Sequence, residues 1–277
     1  TVVFQLDTPA GTLFSTPIDA TTPPQQLTPA MPDPPLPSLV ARGRSSEPGA
    51  PIQVSAFQLS PDSRRVIYRA AELGGTDELF SRPLAPDAVA ERLNSALPPG
   101  GTVGAFAIAP ASDRVTYLAD QDVAGVPMLY SVLIGGGAPA RLNGPLADGG
   151  AVRDMQISPN GATVVYRADQ QLAGLVQIHA VAIGGGDARQ ISASQAIGGD
   201  VLDTQISADS RYTVYLAAQD RPDRNEIYAV DLSEPAEPIK LNAPLGAAEQ
   251  ILDVQISPDG ATELYRVQRN DTRTSEL

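Results

Sequence analysis

The chain has no cysteine, no tryptophan and a single histidine in 277 residues. Without cysteine there is no disulfide, no zinc-thiolate centre and no thiol nucleophile. One histidine removes multi-histidine metal sites and confines the commonest general base to His179. No apolar run approaches the roughly 18 residues that cross a bilayer, so this segment is not expected to insert into a membrane. Cationic residues are also scarce: 19 Lys and Arg stand against 32 Asp and Glu, a formal net charge of −13. A field of that sign repels nucleic acid and anionic membrane surfaces. It calls instead for a protein or peptide partner with a basic or neutral patch.

Glycine and proline are plentiful, 24 and 26 residues, as in proteins built of many short strands and turns. The chain also aligns on itself. Phe57-Gln58-Leu59-Ser60-Pro61-Asp62 recurs as Phe106 to Ala111, Met155 to Asn160, Thr204 to Asp209 and Val254 to Asp259. Successive copies lie 49, 49, 49 and 50 residues apart. Eight residues after the Ser or Ala of each copy comes a tyrosine: Tyr68, Tyr117, Tyr166, Tyr215 and Tyr265. A second landmark follows at Leu79-Phe80, Leu129-Tyr130, Ile178-His179 and Ile227-Tyr228, with Leu13-Phe14 upstream. Each unit closes on a pair such as Leu93-Asn94, Leu142-Asn143, Ile191-Ser192 or Leu241-Asn242.

Each unit reads as four short strands. In the clearest copy they are Asp154 to Ile157, Thr163 to Ala168, Gln177 to Ile183 and Ala188 to Ile191. β-Branched and aromatic residues fill these runs, and turn residues separate them. Between the first two strands stands Ser-Pro-Asn-Gly or Ser-Pro-Asp-Gly, at Ser158 and Ser257, where glycine takes the positive φ of the turn. Four-stranded units of this length, repeated radially, make an all-β propeller. A β-helix would need shorter units. The expected organisation is a single propeller domain over residues 1–277, about six blade positions, with four complete blades flanked by two partial ones. Val3-Phe4 aligns with Ile67-Tyr68 and Glu276-Leu277 with Glu78-Leu79, so the chain reads as an excerpt of a longer one. Residues 29–52, carrying seven prolines, read as a loop inserted between blades.

The Ser-Pro-Asp-Gly turn, the Val164-Val165-Tyr166 strand, the Leu129-Tyr130-Ser131-Val132 strand and the closing Leu-Asn resemble TolB-type, WD-repeat-like bacterial propeller repeats. The likeness covers nearly the whole chain outside the inserted loop. It implies an extracytoplasmic protein, periplasmic, secreted or at the cell surface, that binds other proteins. Related propellers stand in front of prolyl-oligopeptidase-type serine hydrolase domains.

No residue pattern spells a catalytic apparatus: there is no Gly-x-Ser-x-Gly elbow, no His-Glu zinc pair, and no nucleophile beside a base. His179 occupies the position held by Phe80, Tyr130 and Tyr228, which marks it as a packing residue. Gly135-Gly136-Gly137 and Gly184-Gly185-Gly186 lack the Lys-Ser/Thr pair of a phosphate loop and fall where a hairpin turn belongs. Asp120 and Asp122 follow part of a Ca²⁺-loop spacing but lack the third acid, so no cofactor is expected beyond a weak calcium candidate.

A polar row recurs on the first strand: Asp154, Asp203 and Asp253, with Gln156, Gln205 and Gln255 two residues on. Period 2 puts them on one face. Folding the strand back through its turn sets Asp154 across from Arg167 and Asp253 across from Arg266. Cross-strand pairing is one reading. The other is a polar channel mouth that grips a peptide, since a propeller's first strand is its innermost. The sequence therefore leads to a non-enzymatic scaffold for protein–protein interaction. The alternative is the substrate-gating propeller of a serine peptidase whose catalytic domain lies elsewhere, and a metal-dependent hydrolase using the row's carboxylates is a third.

Overall fold

The computed structural model of the protein describes residues 2–5, 13–16, 25–27, 52–72, 75–193, 199–269 and 274–276. Among them are 22 β-strands and no helix, hence no helix long and apolar enough to cross a membrane. The inserted loop falls outside the described residues except at Ile52, which opens a strand.

The strands form six antiparallel meanders in chain order. β1 (Val2–Gln5), β2 (Leu13–Thr16) and β3 (Gln25–Gln26) make the first, with Phe4 paired to Phe14. The second is β4 (Ile52–Leu59), β5 (Arg65–Glu72), β6 (Glu78–Pro83) and β7 (Glu91–Arg92). The third is β8 (Val103–Ile108), β9 (Arg114–Ala119), β10 (Met128–Leu133) and β11 (Ala140–Arg141). The fourth is β12 (Val152–Ile157), β13 (Thr163–Ala168), β14 (Gln177–Ala182) and β15 (Arg189–Gln190). The fifth is β16 (Val201–Ile206), β17 (Tyr212–Ala217), β18 (Glu226–Asp231) and β19 (Ile239–Lys240). The sixth is β20 (Glu249–Ile256), β21 (Glu263–Arg269) and β22 (Thr274–Glu276). Four four-stranded blades flanked by two shorter ones match the sequence reading. The sixth blade also holds a third strand, in which Glu276 pairs with Val267 as Glu78 pairs with Ala70. The chain divides into two compact units, residues 1–125 with 132–139, and residues 126–131 with 140–277.

In the four complete blades the middle of the second strand is buried on both faces. Val164, Val165 and Tyr166 of β13 are all buried, as are Val214, Tyr215 and Leu216 of β17. In the second unit, Val165, Ile178 and Ile191 of the fourth blade pack with Val201, Tyr215, Tyr228 and Val230 of the fifth. In the first unit, Leu13 and Leu27 pack with Val54, Val66, Tyr68 and Phe80. The landmark tyrosine stacks on the aromatic directly opposite it, Tyr68 on Phe80 and Tyr215 on Tyr228, with ring centroids 5.5 and 5.4 Å apart. Such pairs are worth about 0.5–1.5 kcal/mol beyond the area they bury.

Turn chemistry follows the sequence closely. Gly161 and Gly260 carry positive φ in the first hairpin, where Ser63, Ser112 and Ser210 stand in other blades. Ser60 Oγ contacts Asp62 Oδ1 at 2.6 Å, and the Arg64 and Arg65 amides donate to that carboxylate and hydroxyl. Gly136, Gly137, Gly185 and Gly186 take positive φ, so the triple glycines are turns.

The fourth strand is shorter than its apolar pattern suggests. β15 spans two residues where the sequence indicates Ala188 to Ile191. Beyond two ladder positions the closing dipeptide takes over. The Leu142 amide donates to Leu129 O, and Asn143 Oδ1 accepts from the Leu129 amide at 2.8 Å. Leu93-Asn94 and Leu241-Asn242 do the same, and Ser192 replaces Asn with its hydroxyl. The Asn side chain thus imitates one more residue of strand. Asn143→Ala leaves the fully buried Leu129 without its amide's acceptor and is expected to cost about 1–3 kcal/mol in urea unfolding. Asn143→Asp retains an acceptor oxygen and should lose less.

Candidate functional site

The polar row of the first strand is where sequence places the residues of greatest interest. A register shift at Val152/Asp154 in β12, at Val201/Asp203 in β16 and at Ile251/Asp253 in β20 sets each aspartate where it stands. Asp154 lies opposite Arg167 and Asp253 opposite Arg266, while Asp203 faces Leu216. Arg167 Nε donates to both Asp154 oxygens at 3.0 and 2.9 Å, and Nη2 completes the fork. Arg266 grips Asp253 in the same manner. The hydrogen-bonded guanidinium holds the Asp253 carboxyl below its ordinary range, and Asp154 raises Arg167 above its own.

These pairs do more than join two strands. Arg167 Nη1 reaches the carbonyls of Val201 and Leu202 at the start of the next blade's first strand. In the first unit, Arg69 Nη1 does likewise to Val103 and Gly104, while Asp77 supplies the anion at 3.0 Å. The glutamines run the same way. Gln156 Nε2 donates to Thr204 O at 2.5 Å. Gln205 Nε2 donates to Val254 O at 2.6 Å, and its Oε1 accepts from the Ile256 amide at 3.1 Å. Of the six row residues, Asp154, Asp253, Gln156 and Gln205 are therefore engaged in holding strands and blades together. Asp203 is exposed, its Oδ1 accepting from the Thr204 amide, and Gln255 is exposed as well.

Asp120 and its repeat equivalent Asp169 are both buried and serve backbone amides. Asp120 accepts from Thr102 and Gly125. Asp169 accepts from Ala151 and Gly174 and pairs with Arg153 at 2.9 Å. Burial would raise the Asp169 carboxyl, but these donors more than offset it and hold it low. Asp122 stands on the exposed part of its loop. Among the described residues no group of three or more His, Asp or Glu side chains is gathered as a metal would require.

His179 is buried in the fourth blade, opposite Tyr166 and stacked on it at 5.2 Å. Its Nδ1 has no hydrogen-bond partner, and burial pushes its pKa down to about 4. Tyr166 is pushed up to about 12 by the same burial. Its hydroxyl donates to Gln170 at 3.0 Å, as Tyr117 does to Gln121 and Tyr215 to Gln219. This Tyr-x-x-x-Gln spacing was present in the sequence at three successive units and signals a buried tether. A cavity of about 370 Å³ opens between the fifth and sixth blades, walled by Val214, Ala229, Ile239, Leu241 and Ile256. Asp231 at its edge is taken up by Arg211 at 3.1 Å, and Glu237 and Glu263 line it as well.

Two outcomes follow from this geometry. Arg167→Ala should destabilise more than Asp154→Ala, by about 1–2 kcal/mol in urea unfolding, because it also strips the next blade's carbonyls of a donor. Equal losses would place all the energy in the ion pair. For His179 the unfolded chain binds more protons between pH 6.5 and about 4. The stability is complete above pH 6.5 and is lost as pH falls towards 4, by up to about 3 kcal/mol. His179→Phe, the residue at the equivalent position 80, should flatten that acid limb of the stability–pH curve.

No protein-family model and no curated protein matches this sequence. Solved structures do. Dipeptidyl peptidase 4 from Porphyromonas gingivalis is similar over 96% of this chain and 42% of its own, at 14% identity and a TM-score of 0.63. Oligogalacturonate lyase from Vibrio parahaemolyticus is similar over 96% and 70%, at 12% identity and 0.51. TolB from Acinetobacter baumannii matches over 95% and 58%, at 16% identity and 0.45. The chain thus spans less than half of the peptidase and under two thirds of that TolB. At these identities the likeness concerns fold alone, and the fold is a β-propeller of four-stranded antiparallel blades.

Proposed function

We propose that this chain is a non-enzymatic propeller scaffold for protein–protein interaction, in a bacterial protein that works outside the cytoplasm. The observation that carries the reading is the engagement of the polar candidates. Asp154, Asp253, Gln156 and Gln205, four of the six row residues, are bound to neighbouring strands, and the one histidine is a packing ring. Acidic residues stand exposed on connections, at Asp122, Asp148, Asp187 and Asp223. Loops on a rigid scaffold are where binding residues concentrate, and the net charge of −13 favours a partner with a basic surface. The peptidase-domain alternative draws on a likeness of fold, and no side chain in the described residues favours it.

The chain immobilised and exposed to bacterial periplasmic extract should retain a defined protein. Its retention should fall as salt rises from about 0.05 to 0.5 M, because exposed charges are screened over that range. A column that retains nothing, or a retained protein indifferent to salt, overturns the reading.

A further inference from the structure

Asparagine followed by glycine occurs twice in this chain, at Asn143-Gly144 and Asn160-Gly161. The pair has a chemistry of its own. A glycine nitrogen, unhindered by any side chain, can attack the side-chain amide of the asparagine before it. The fold treats the two copies differently.

Asn143 is buried and held at both ends of its amide. Its Oδ1 accepts from the Leu129 amide at 2.8 Å, and its Nδ2 donates to Gly144 O at 2.8 Å. Gln170 packs 3.4 Å from where a Cβ would stand on Gly144, so the dipeptide has little room to rearrange.

Asn160 stands exposed in the hairpin from β12 to β13. Two donors converge on its side-chain oxygen, the Ser158 hydroxyl at 2.7 Å and the Ala162 amide at 2.9 Å. The Thr163 amide donates to Ser158 Oγ at 2.9 Å, which leaves that hydroxyl its proton for Asn160. No hydrogen bond holds Asn160 Nδ2 among the described residues. The Gly161 amide donates to Ser158 O at 2.7 Å, the one contact that attack must open.

Other blades show what this donor pair does. Asp62, Asp209 and Asp259 occupy the same place, each accepting from the turn serine and from the amide two residues on. Those donors hold all three carboxyls below their ordinary range, so the turn stabilises negative charge on that oxygen. Attack at Asn160 Cγ places negative charge on the equivalent oxygen.

We propose that Asn160 is a site of intramolecular deamidation, with the Ser158 hydroxyl and the Ala162 amide as its oxyanion donors. Hydroxide takes the Gly161 amide proton, and the nitrogen bonds to Asn160 Cγ. The tetrahedral centre collapses, the Cγ–Nδ2 bond breaks, and Nδ2 leaves as ammonia with a proton from water. Water then opens the cyclic imide. Opening at Cγ gives aspartate, the residue found in the equivalent turns. Opening at the main-chain carbonyl gives isoaspartate, which reroutes the backbone through the side chain. That form lengthens the chain beside the Asn160 amide, which donates to Ser210 Oγ of the next blade at 2.9 Å. The step needs no partner and stands apart from whatever the scaffold binds.

Trypsin cleaves after Arg141, Arg153 and Arg167, which puts the two dipeptides in separate peptides. With the whole native chain held at mildly alkaline pH, mass spectrometry should show Asn160 converting to the acid form well ahead of Asn143. Ser158→Ala should slow Asn160 about tenfold, the effect of one hydrogen bond to a developing oxyanion at an exposed site. A turn that reacts through looseness gives the opposite result, since losing Ser158 frees the hairpin. A free peptide of residues 156–163 supplies a second test that needs no variant, and the folded chain should convert faster than it does. Equal rates at Asn143 and Asn160 in the native chain, a Ser158→Ala rate at or above the original, or a free peptide that outpaces the folded chain each overturns the proposal.

Discussion

Everything in this fold depends on how the first strand of each blade is met by the blade before it. An amide at or near the start of that strand donates to a carbonyl just ahead of the preceding third strand: Val103 to Asp77, Val152 to Pro127, Val201 to Val176 and Ile251 to Asn225. In the best-formed cases an arginine then takes its first carbonyls and a glutamine takes one further along. A first strand has a ladder partner on one side only, so its other backbone edge would be an exposed template for pairing. Side chains from the neighbouring blade tie into that strand without extending the ladder, which keeps successive sheets separate and in register. The serine hydroxyls of the first hairpins add a further link, with Ser112 accepting from the Asp62 amide and Ser210 from the Asn160 amide.

Most of this architecture was legible because the repeat amplifies weak signals. A single Ser-Pro-Asn-Gly at Ser158 is only a turn, but five copies near 49 residues apart fix blade length, turn type and the place of each tyrosine. Cross-strand partners followed from hairpin symmetry alone, which is why Asp154–Arg167 and Asp253–Arg266 lie where counting places them. The same counting overextended the fourth strand. Apolar pattern cannot distinguish a ladder residue from Leu142-Asn143, where a side-chain oxygen does the work of a backbone carbonyl.

The candidate site was less legible, for a physical reason. Alternation shows which residues share a face, not what covers that face. Gln156 and Gln205 lie on the face that counting gave them, yet their partners sit 48 and 49 residues on, in a strand of the next blade. Nothing local reports a contact of that span. The clue was the recurrence itself. A polar side chain kept at one position in successive units answers to whatever else is repeated there, and that is the backbone of the neighbouring blade.

This bears on where function can lie. Residues spaced by one repeat serve the stacking of blades, because only the scaffold presents the same partner again and again. Specific recognition must come from positions where the units differ. Asp203 is one, facing Leu216 where its equivalents face arginines. The second-to-third-strand loops are another: Asp120 to Gly125 and Asp169 to Gly174 share a buried aspartate and a positive-φ glycine, whereas the fifth blade carries Asp220-Arg221-Pro222-Asp223 instead. There Arg221 and Asp223 pair at the surface, and Asp220 joins Glu226 around Lys240. Departure from the repeat, more than conformity to it, marks the surface that a partner can tell apart from the rest.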